Sequence, residues 1–280
     1  MRIDKIAVLF VLLGCMLPES TAVAGNAYEQ GLEQALAGRI EQGEPVWLDA
    51  TGDRFLAVYL QQLPEQPLGA AIIVHGMGGH PDWPQVVAPL RLRLPAAGWA
   101  TLSIQMPVLE PGEALAGYGD TIKQAGNRIR TAENYLREQG YLTIVLIGYG
   151  FGATSGACYL AENSSDIQAF AGIGMQSYDF LSPRMDLDAC LAQIDVPVLD
   201  LYGSRDFDAV LRQAANRRLE ARNRNKAAYQ QVSIEDADHY YTGLEDILAR
   251  RLSDWLDQAV PATGGAVEPA LEKQTVPDSQ

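Results

Sequence analysis

The residues with the clearest capacity for chemistry are one histidine and one aspartate, each placed just after a segment with strand-like composition. His239 follows Tyr229 to Ile234, and Asp206 follows Val198 to Tyr202. An imidazole held by a carboxylate acts as a general base, which takes a proton from a nucleophile. Asp208 lies two residues further on, and the sequence alone does not separate the two aspartates as partner of an imidazole.

The segment from Thr143 to Cys158 is where a nucleophile for this pair would be expected. Its first five residues carry no charge, which favours a strand buried on both faces, and a turn with three glycines follows at Gly148 to Gly152 before a helix of small residues. In a nucleophile elbow, G-x-S-x-G, the middle residue is held at positive φ and projects its side chain above the sheet. Here the middle residue is Gly150, so the turn is present without a hydroxyl group.

Other hydroxyl groups are poor substitutes for the missing nucleophile. Ser155 lies more than one helical turn beyond the apex, Tyr149 offers a phenol of high ordinary pKa, and neither Ser103 nor Ser177 follows an elbow. A water molecule activated by His239, in the space that a serine side chain would fill, is the best enzymatic alternative.

The remaining segments predict the elements that must position these residues. A short amphipathic helix at 28–40 precedes a β-hairpin at 46–60, and apolar strands then alternate with helices as far as residue 258. This order predicts an α/β fold with a mostly parallel central sheet, helices on both faces and an N-terminal β-hairpin at one edge. The predicted organisation is a signal peptide at 1–24, a helical lead-in at 25–44, one domain at 45–258 and a disordered tail at 259–280.

Four loop motifs, each after a predicted strand, carry a resemblance to a known superfamily. They are His75-Gly76-Met77-Gly78-Gly79, Gly148-Tyr149-Gly150-Phe151-Gly152, Tyr202-Gly203-Ser204-Arg205-Asp206 and Ala237-Asp238-His239. Together they resemble the α/β-hydrolase fold, in which nucleophile, acid and histidine follow strands in this chain order. More narrowly, the segments 75–84 and 94–103 resemble an uncharacterised family of exported bacterial proteins, a domain of unknown function in the α/β-hydrolase clan.

The resemblance implies roles for individual residues. The N–H groups of Met77 and Phe151 would line an oxyanion hole, Asp206 would orient the imidazole, and His239 would be the base. The side chains of three further residues near the same edge of the sheet are candidates for contact with a ligand, namely His75, His80 and Tyr149. Because Gly150 takes the place of the nucleophile, His239 and Asp206 are interpreted either as a remnant of a catalytic site or as an atypical one.

Charge and composition exclude several classes of function. The net charge of −14 and the sequence pI near 4.6 argue against a nucleic-acid partner, because such a protein must neutralise phosphates with clustered basic residues. A basic group in the segment 212–226 is predicted to be the solvated face of one helix and the loop after it, and the alternative is a contact to an anionic glycan or lipid headgroup. Its members are Arg212, Arg217, Arg218, Arg222, Arg224 and Lys226. Three scattered histidines predict no metal site, and no cofactor is expected.

The N-terminus predicts export. Arg2 and Lys5 precede an apolar stretch, and Ala22-Val23-Ala24 is a small-residue cleavage site, so the expected location is periplasmic or secreted. The alternative is a lipoprotein anchored through Cys15, because Leu12 to Cys15 loosely resembles a lipobox. No later stretch predicts a transmembrane anchor after processing.

Two cysteines, Cys158 and Cys190, remain in the predicted domain. In an exported protein they could form a disulfide, and they could equally be two small buried apolar residues.

Two functions follow from these observations. The first is a non-catalytic protein that binds an unknown small molecule or cell-envelope partner, and its motivation is Gly150. The alternative is an esterase or lipase type of hydrolase, acting on carboxylic esters through an atypical nucleophile or a water activated by His239.

Overall fold

A computed structural model describes residues 27–223 and 228–260. Its strands are β1 (Glu44–Ala50), β2 (Asp53–Leu60), β3 (Gly69–Val74), β4 (Trp99–Ile104), β5 (Ile144–Tyr149), β6 (Ala169–Ile173), β7 (Val198–Gly203) and β8 (Tyr229–Ile234). Its α-helices are α1 (Ala27–Ala37), α2 (Val87–Arg93), α3 (Ile122–Glu138), α4 (Phe151–Glu162), α5 (Leu187–Gln193), α6 (Asp208–Asn223) and α7 (Glu245–Ala259). The predicted signal peptide, Cys15 and almost all of the predicted tail lie outside the described residues.

The strands form one sheet in the order β1-β2-β4-β3-β5-β6-β7-β8. β1 pairs with β2 and β2 pairs with β4 in antiparallel fashion, and every other neighbouring pair is parallel. The fold predicted from the sequence is therefore confirmed. The carboxyl ends of the parallel strands meet at one edge of the sheet, where ligands bind in open α/β folds.

Both faces of the sheet are covered by helices. Every residue of the two central strands β3 and β5 is buried, as expected for strands that pack against helices on each side. Side chains of α3, α4 and α5 lie in the apolar cluster on one face, and side chains of α2 and α7 lie in the cluster on the other.

Three helices begin later than the sequence predicts. The helix expected from Pro84 begins at Val87, because Val86 takes a left-handed conformation at φ 61° and cannot belong to the helix. The helix expected from Tyr118 starts with a 3₁₀ segment, Leu115–Thr121, before α3. The helix expected from Thr242 begins at Glu245, after a turn at Tyr241 and Gly243 with positive φ.

Helix α1 is fixed to the domain by a buried charge cluster rather than by an apolar face. Its Glu29 and Glu33 are each 1% exposed. The Arg128 guanidinium on α3 donates to Glu29 at 2.5 Å and to both carboxylate oxygens of Asp53 at 2.8 and 2.9 Å. Glu33 accepts the N–H of Leu56 at 2.7 Å. The predicted lead-in helix is therefore joined to α3 by the ion pair of Glu29 with Arg128 and to the hairpin by the hydrogen bond from Leu56 to Glu33.

Stability should fall as pH rises because of Glu33. Burial is the main reason that the pKa of its carboxyl is raised to about 7. The N–H of Leu56 and the charge of Arg128 oppose this shift, and the nearby carboxylates of Glu29 and Asp53 add to it. Since this pKa is higher in the folded than in the unfolded chain, the stabilisation is complete at acid pH and is lost as pH rises through about 7. We expect a loss of about 2 kcal/mol, less than the full shift implies because water and Arg128 relax around the ionised carboxylate.

Urea unfolding between about pH 5 and about pH 8 measures this effect. Glu33→Gln should flatten the pH dependence, whereas substitution of an exposed residue, Glu65→Gln, should leave it unchanged. Equal pH dependence in wild type and Glu33→Gln would contradict the assignment.

One member of the predicted basic surface is buried. Arg217 is 2% exposed, and its guanidinium donates to the Asp200 carboxylate on β7 at 2.8 and 3.1 Å. The prediction of a solvated face was therefore wrong for Arg217, because α6 lies against β7 at this position. Arg224 and Lys226 lie outside the described residues.

Candidate active site

The turn between β5 and α4 has the geometry of a nucleophile elbow. Gly150 lies between them at φ 55° and ψ −120°, and its N–H donates to the carbonyl of Ile173 on β6 at 2.9 Å. A Cβ atom at Gly148 would lie 2.4 Å from the Cα of Ala153, and one at Gly152 would lie 2.3 Å from the carbonyl oxygen of His75. Both flanking glycines are therefore required by close backbone approach, and the apex keeps a conformation that is strained for any other residue.

His239 and Asp206 lie together at this edge of the sheet. Nδ1 of His239 is 2.7 Å from Oδ1 of Asp206, and both residues are buried. The N–H of Phe207 donates to the same carboxylate oxygen at 2.7 Å, which fixes its orientation. The imidazole approaches the end of β6 so closely that a Cβ atom at Gly174 would lie 2.8 Å from Cε1. Asp208, the alternative acid, is instead exposed and lies 3.7 Å from Arg212.

The apex and the imidazole face each other. A Cβ atom built on Gly150 would lie 3.8 Å from Nε2 of His239, 3.9 Å from the hydroxyl of Tyr178 and 3.9 Å from the Cα of Gly76. A serine hydroxyl oxygen extends about 1.4 Å beyond Cβ, so a suitable rotamer would bring it within hydrogen-bond reach of Nε2. Gly150, His239 and Asp206 are therefore arranged as the nucleophile position, base and acid of a catalytic triad would be.

Aromatic rings enclose the imidazole. The ring of Phe207 stacks on it with centroids 4.2 Å apart and planes at 23°, and the ring of Tyr149 lies 5.0 Å away at 33°. Tyr240 meets it edge to face at 5.6 Å, and the Tyr149 hydroxyl donates to the His239 carbonyl at 3.3 Å. These contacts hold the ring plane of His239 in one orientation toward Gly150.

Tyr178 is a residue of the site that the sequence analysis missed. It lies in the loop between β6 and α5, and the Thr154 hydroxyl ties this loop to α4 by donating to the carbonyl of Gln176 at 2.7 Å. Burial raises the pKa of Tyr178 to about 12, so the phenol keeps its proton at neutral pH. The strand order offered a signal, because the loop after β6 must lie between the elbow and the loop that carries Asp206.

The glycine-rich turn after β3 lies beside the elbow. Gly76 is close to the apex, and a Cβ atom on it would lie 3.9 Å from the N of Phe151. The hydroxyl of Tyr118 accepts the N–H of Gly78 at 2.8 Å, which fixes the turn from the other side. The side chain of Met77 packs on the cluster that includes Phe151. The turn and the first residue of α4 thus meet where an oxyanion hole would form.

His75 supports this turn from below. Its Nδ1 lies 2.7 Å from the carbonyl oxygen of Gly76, its Nε2 accepts the N–H of Met106 at 2.9 Å, and the residue is 1% exposed. Burial lowers the pKa of His75 to about 3, so the ring is neutral. Both nitrogens are thus used within the protein. His80 contacts its own turn, where it accepts the N–H of Asp82 at 3.2 Å and packs against the ring of Trp83.

The other hydroxyl groups that the sequence offered are buried or hydrogen-bonded within the protein. Ser155 is buried within α4, Ser103 is buried in β4, and the Ser177 hydroxyl accepts the N–H of Leu187 at 3.3 Å. Burial raises the pKa of Tyr149 above its ordinary value, which makes its phenol a poorer nucleophile.

A disulfide joins the helix of the elbow to its neighbour. Cys158 on α4 and Cys190 on α5 have sulfurs 2.01 Å apart. The bond closes a loop from the elbow helix across β6 and the Tyr178 loop. Among residues 27–223 and 228–260, no group of His, Cys, Asp or Glu side chains is arranged to hold a metal ion, and no helix is long and apolar enough to cross a membrane.

The sheet order, the elbow and the His239 and Asp206 pair define a protein of the α/β-hydrolase fold. A family model described as a protein of unknown function, DUF3530, matches residues 17–118 and 119–258. The chain belongs to this family, which confirms the resemblance to a domain of unknown function with this fold. No curated protein matches the sequence significantly.

Solved structures with the same fold include several hydrolases. Est1E from Butyrivibrio proteoclasticus aligns with a TM-score of 0.63 and 15% identity, over 78% of this chain and 99% of that one. The esterase domain of a Rhodothermus marinus protein aligns with a TM-score of 0.59 and 20% identity, over 78% and 99%. XC6422 from Xanthomonas campestris, described as a serine hydrolase without lid, aligns with a TM-score of 0.58 and 20% identity, over 80% and 98%. At these identities the likeness shows the fold alone.

Proposed function

We propose that this protein is a non-catalytic member of the α/β-hydrolase fold that binds a ligand at the edge where the catalytic site of a hydrolase lies. The observation that carries the proposal is Gly150 at the elbow apex, with Nε2 of His239 facing the position where a nucleophile would be attached. Without a hydroxyl or thiol at the apex, no covalent acyl intermediate can form there.

The remaining groups supply little catalysis on their own. In a serine hydrolase, removal of the nucleophile leaves only the small acceleration that the oxyanion hole and substrate binding provide. A folded site with an ordered base and an ordered oxyanion-type turn is nevertheless a good binding site, because its polar groups are already oriented. We therefore expect ligand binding without measurable turnover.

Ester hydrolysis by purified protein tests this proposal. Wild type and His239→Ala should hydrolyse an acyl-ester dye at the same background rate. A wild-type rate at least tenfold above that of His239→Ala would remove the non-catalytic function. Circular dichroism of both proteins controls for folding.

A second function is favoured by one specific observation, the intact hydrogen bond between His239 and Asp206 at 2.7 Å. A water molecule between Nε2 and the apex could lose a proton to the imidazole and attack the carbonyl carbon of an ester bound against the oxyanion-type turn. The ester C–O bond would then break, and the leaving alcohol would take the proton from the imidazolium. This hydrolase would show no burst phase, because no covalent intermediate accumulates, and its rate would depend on His239.

We also propose that the protein acts outside the cytoplasm, in the periplasm or after secretion. The support is the leader sequence that ends at Ala24. N-terminal sequencing of exported protein should find Gly25 first, and a lipidated Cys15 would instead assign a membrane-anchored lipoprotein.

A further inference from the structure

Three exposed aromatic side chains surround the candidate site. Phe180 is 49% exposed, Phe207 47% and Tyr240 42%. We call these three residues the aromatic rim. Large exposed apolar side chains are ordinary when scattered, but a group of them beside one site indicates a binding surface.

Each residue of the rim contacts a side chain that faces Gly150. Phe207 and Tyr240 both contact the imidazole of His239, and they meet each other edge to face at 6.1 Å. Phe180 meets the ring of Tyr178 edge to face at 5.7 Å. Stacking on the imidazole covers one face of Phe207, and nearly half of the residue remains accessible to solvent. The rim is therefore continuous with the innermost part of the site.

Two polar atoms converge below the rim. Nε2 of His239 and the hydroxyl of Tyr178 lie 3.8 and 3.9 Å from the position that a Cβ atom would take on Gly150, and no heavy atom outside residues 149–151 is nearer to that position than 3.8 Å. In the neutral imidazole Nδ1 donates its proton to Asp206, so Nε2 carries a lone pair and accepts. The phenol of Tyr178 can donate. This arrangement suits a hydroxyl group, which donates to Nε2 and accepts from Tyr178.

We propose that the ligand is an aromatic alcohol, bound with its ring against the aromatic rim and its hydroxyl above Gly150. The proposal rests on the proposed binding function, because the ligand hydroxyl takes the place of the missing nucleophile. Ring-to-ring contacts add about 0.5–1.5 kcal/mol beyond the burial of area. An aromatic alcohol should therefore bind about threefold to tenfold more tightly than a saturated alcohol of the same shape.

Four matched probes test the chemistry of the ligand by titration with NMR detection. Benzyl alcohol has both proposed groups, cyclohexylmethanol lacks the aromatic ring, benzyl methyl ether lacks the hydroxyl proton, and benzoate carries a charge. We expect benzyl alcohol to bind most tightly. The proposal is overturned if benzyl alcohol does not bind, or if any of the other three probes binds equally well.

Variants locate the binding. Phe207→Leu keeps an apolar side chain over His239 and should abolish the preference for benzyl alcohol over cyclohexylmethanol. Gly150→Ala places a methyl group where the two polar atoms converge and should weaken benzyl alcohol binding at least tenfold. Leu219→Ala removes an exposed apolar side chain of α6, 57% exposed, and should change nothing. Retention of the aromatic preference in folded Phe207→Leu, or an equal loss in Leu219→Ala, contradicts the assignment.

Two further outcomes have distinct meanings. Ester hydrolysis that requires His239 would remove the non-catalytic function and leave a measured binding preference intact. Absence of both ester hydrolysis and probe binding would remove only the assignment of the ligand. Self-association that Phe207→Ala abolishes, measured by analytical ultracentrifugation, would assign the aromatic rim to a second copy of the chain and overturn the proposal.

Discussion

The variant Gly150→Ser is expected to become covalently labelled by a fluorophosphonate probe, which should not label the wild type. The Cβ atom fits at the apex, since its nearest neighbours would be 3.8 Å away or more. Its hydroxyl would lie within reach of Nε2 of His239, whose Nδ1 is already held by Asp206. We expect slow hydrolysis of acyl-ester dyes with a burst phase, because a covalent acyl intermediate can now form.

The same substitution should slightly destabilise the fold. A residue with a Cβ atom at φ 55° and ψ −120° is strained by roughly 1–3 kcal/mol, and glycine avoids most of this strain. Thermal unfolding followed by circular dichroism measures the loss.

The matched control is the double variant Gly150→Ser with His239→Ala, which should remain unlabelled. If folded Gly150→Ser is itself never labelled, His239 and Asp206 do not form a working base, despite the hydrogen bond between them. The retained motif would then serve binding or architecture alone.

Substitution of Arg128 by methionine should cause a large loss of stability, although the residue lies away from the site. Arg128 is completely buried, and it is paired with Glu29 and Asp53. Its removal would leave two buried carboxylates without their cation, which costs about 3–5 kcal/mol. Because these pairs connect α1 to the hairpin and to α3, we expect α1 to detach first.

Urea unfolding gives the loss of free energy, and hydrogen exchange shows where it begins. Arg130→Met is the matched control, because Arg130 is an exposed arginine on the same helix whose guanidinium donates to Asn163. It should change stability by less than about 1 kcal/mol. If Arg128→Met cost no more than Arg130→Met, the cluster would not be what fixes α1.

Hydrogen bonds connect Arg128, with its partners Glu29 and Asp53, to the candidate site. Arg128 donates to the carbonyl of Gln105 at 3.0 Å, and the Gln105 amide lies 3.1 Å from Nε2 of His75. Nδ1 of His75 in turn is hydrogen-bonded to the carbonyl of Gly76, and the Cα of Gly76 lies beside the elbow apex. Helix α1 and the oxyanion-type turn are therefore joined by one chain of hydrogen bonds.

Local patterns in the sequence determined much of this structure. Uncharged runs such as Ile144–Tyr149 favour strands covered on both faces, and the glycines at 148 and 152 indicate a turn in which two backbone segments approach closely. The sequence also gives directly that residue 150 is glycine and that His239 follows the last predicted strand. These features depend on neighbours in the chain, so periodicity and turn chemistry predict them.

Only the tertiary structure decided which distant side chains meet. It placed Asp206, and not Asp208, against the imidazole of His239. It also paired Cys158 with Cys190 and brought Tyr178 and Phe207 to the site. It also buried Glu29 of the predicted amphipathic helix against Arg128, 99 positions further along the chain, and Glu33 against the N–H of Leu56. The physical reason is that strand order and helix packing set these contacts. A charged side chain is predicted to be exposed unless its partner elsewhere in the fold is known.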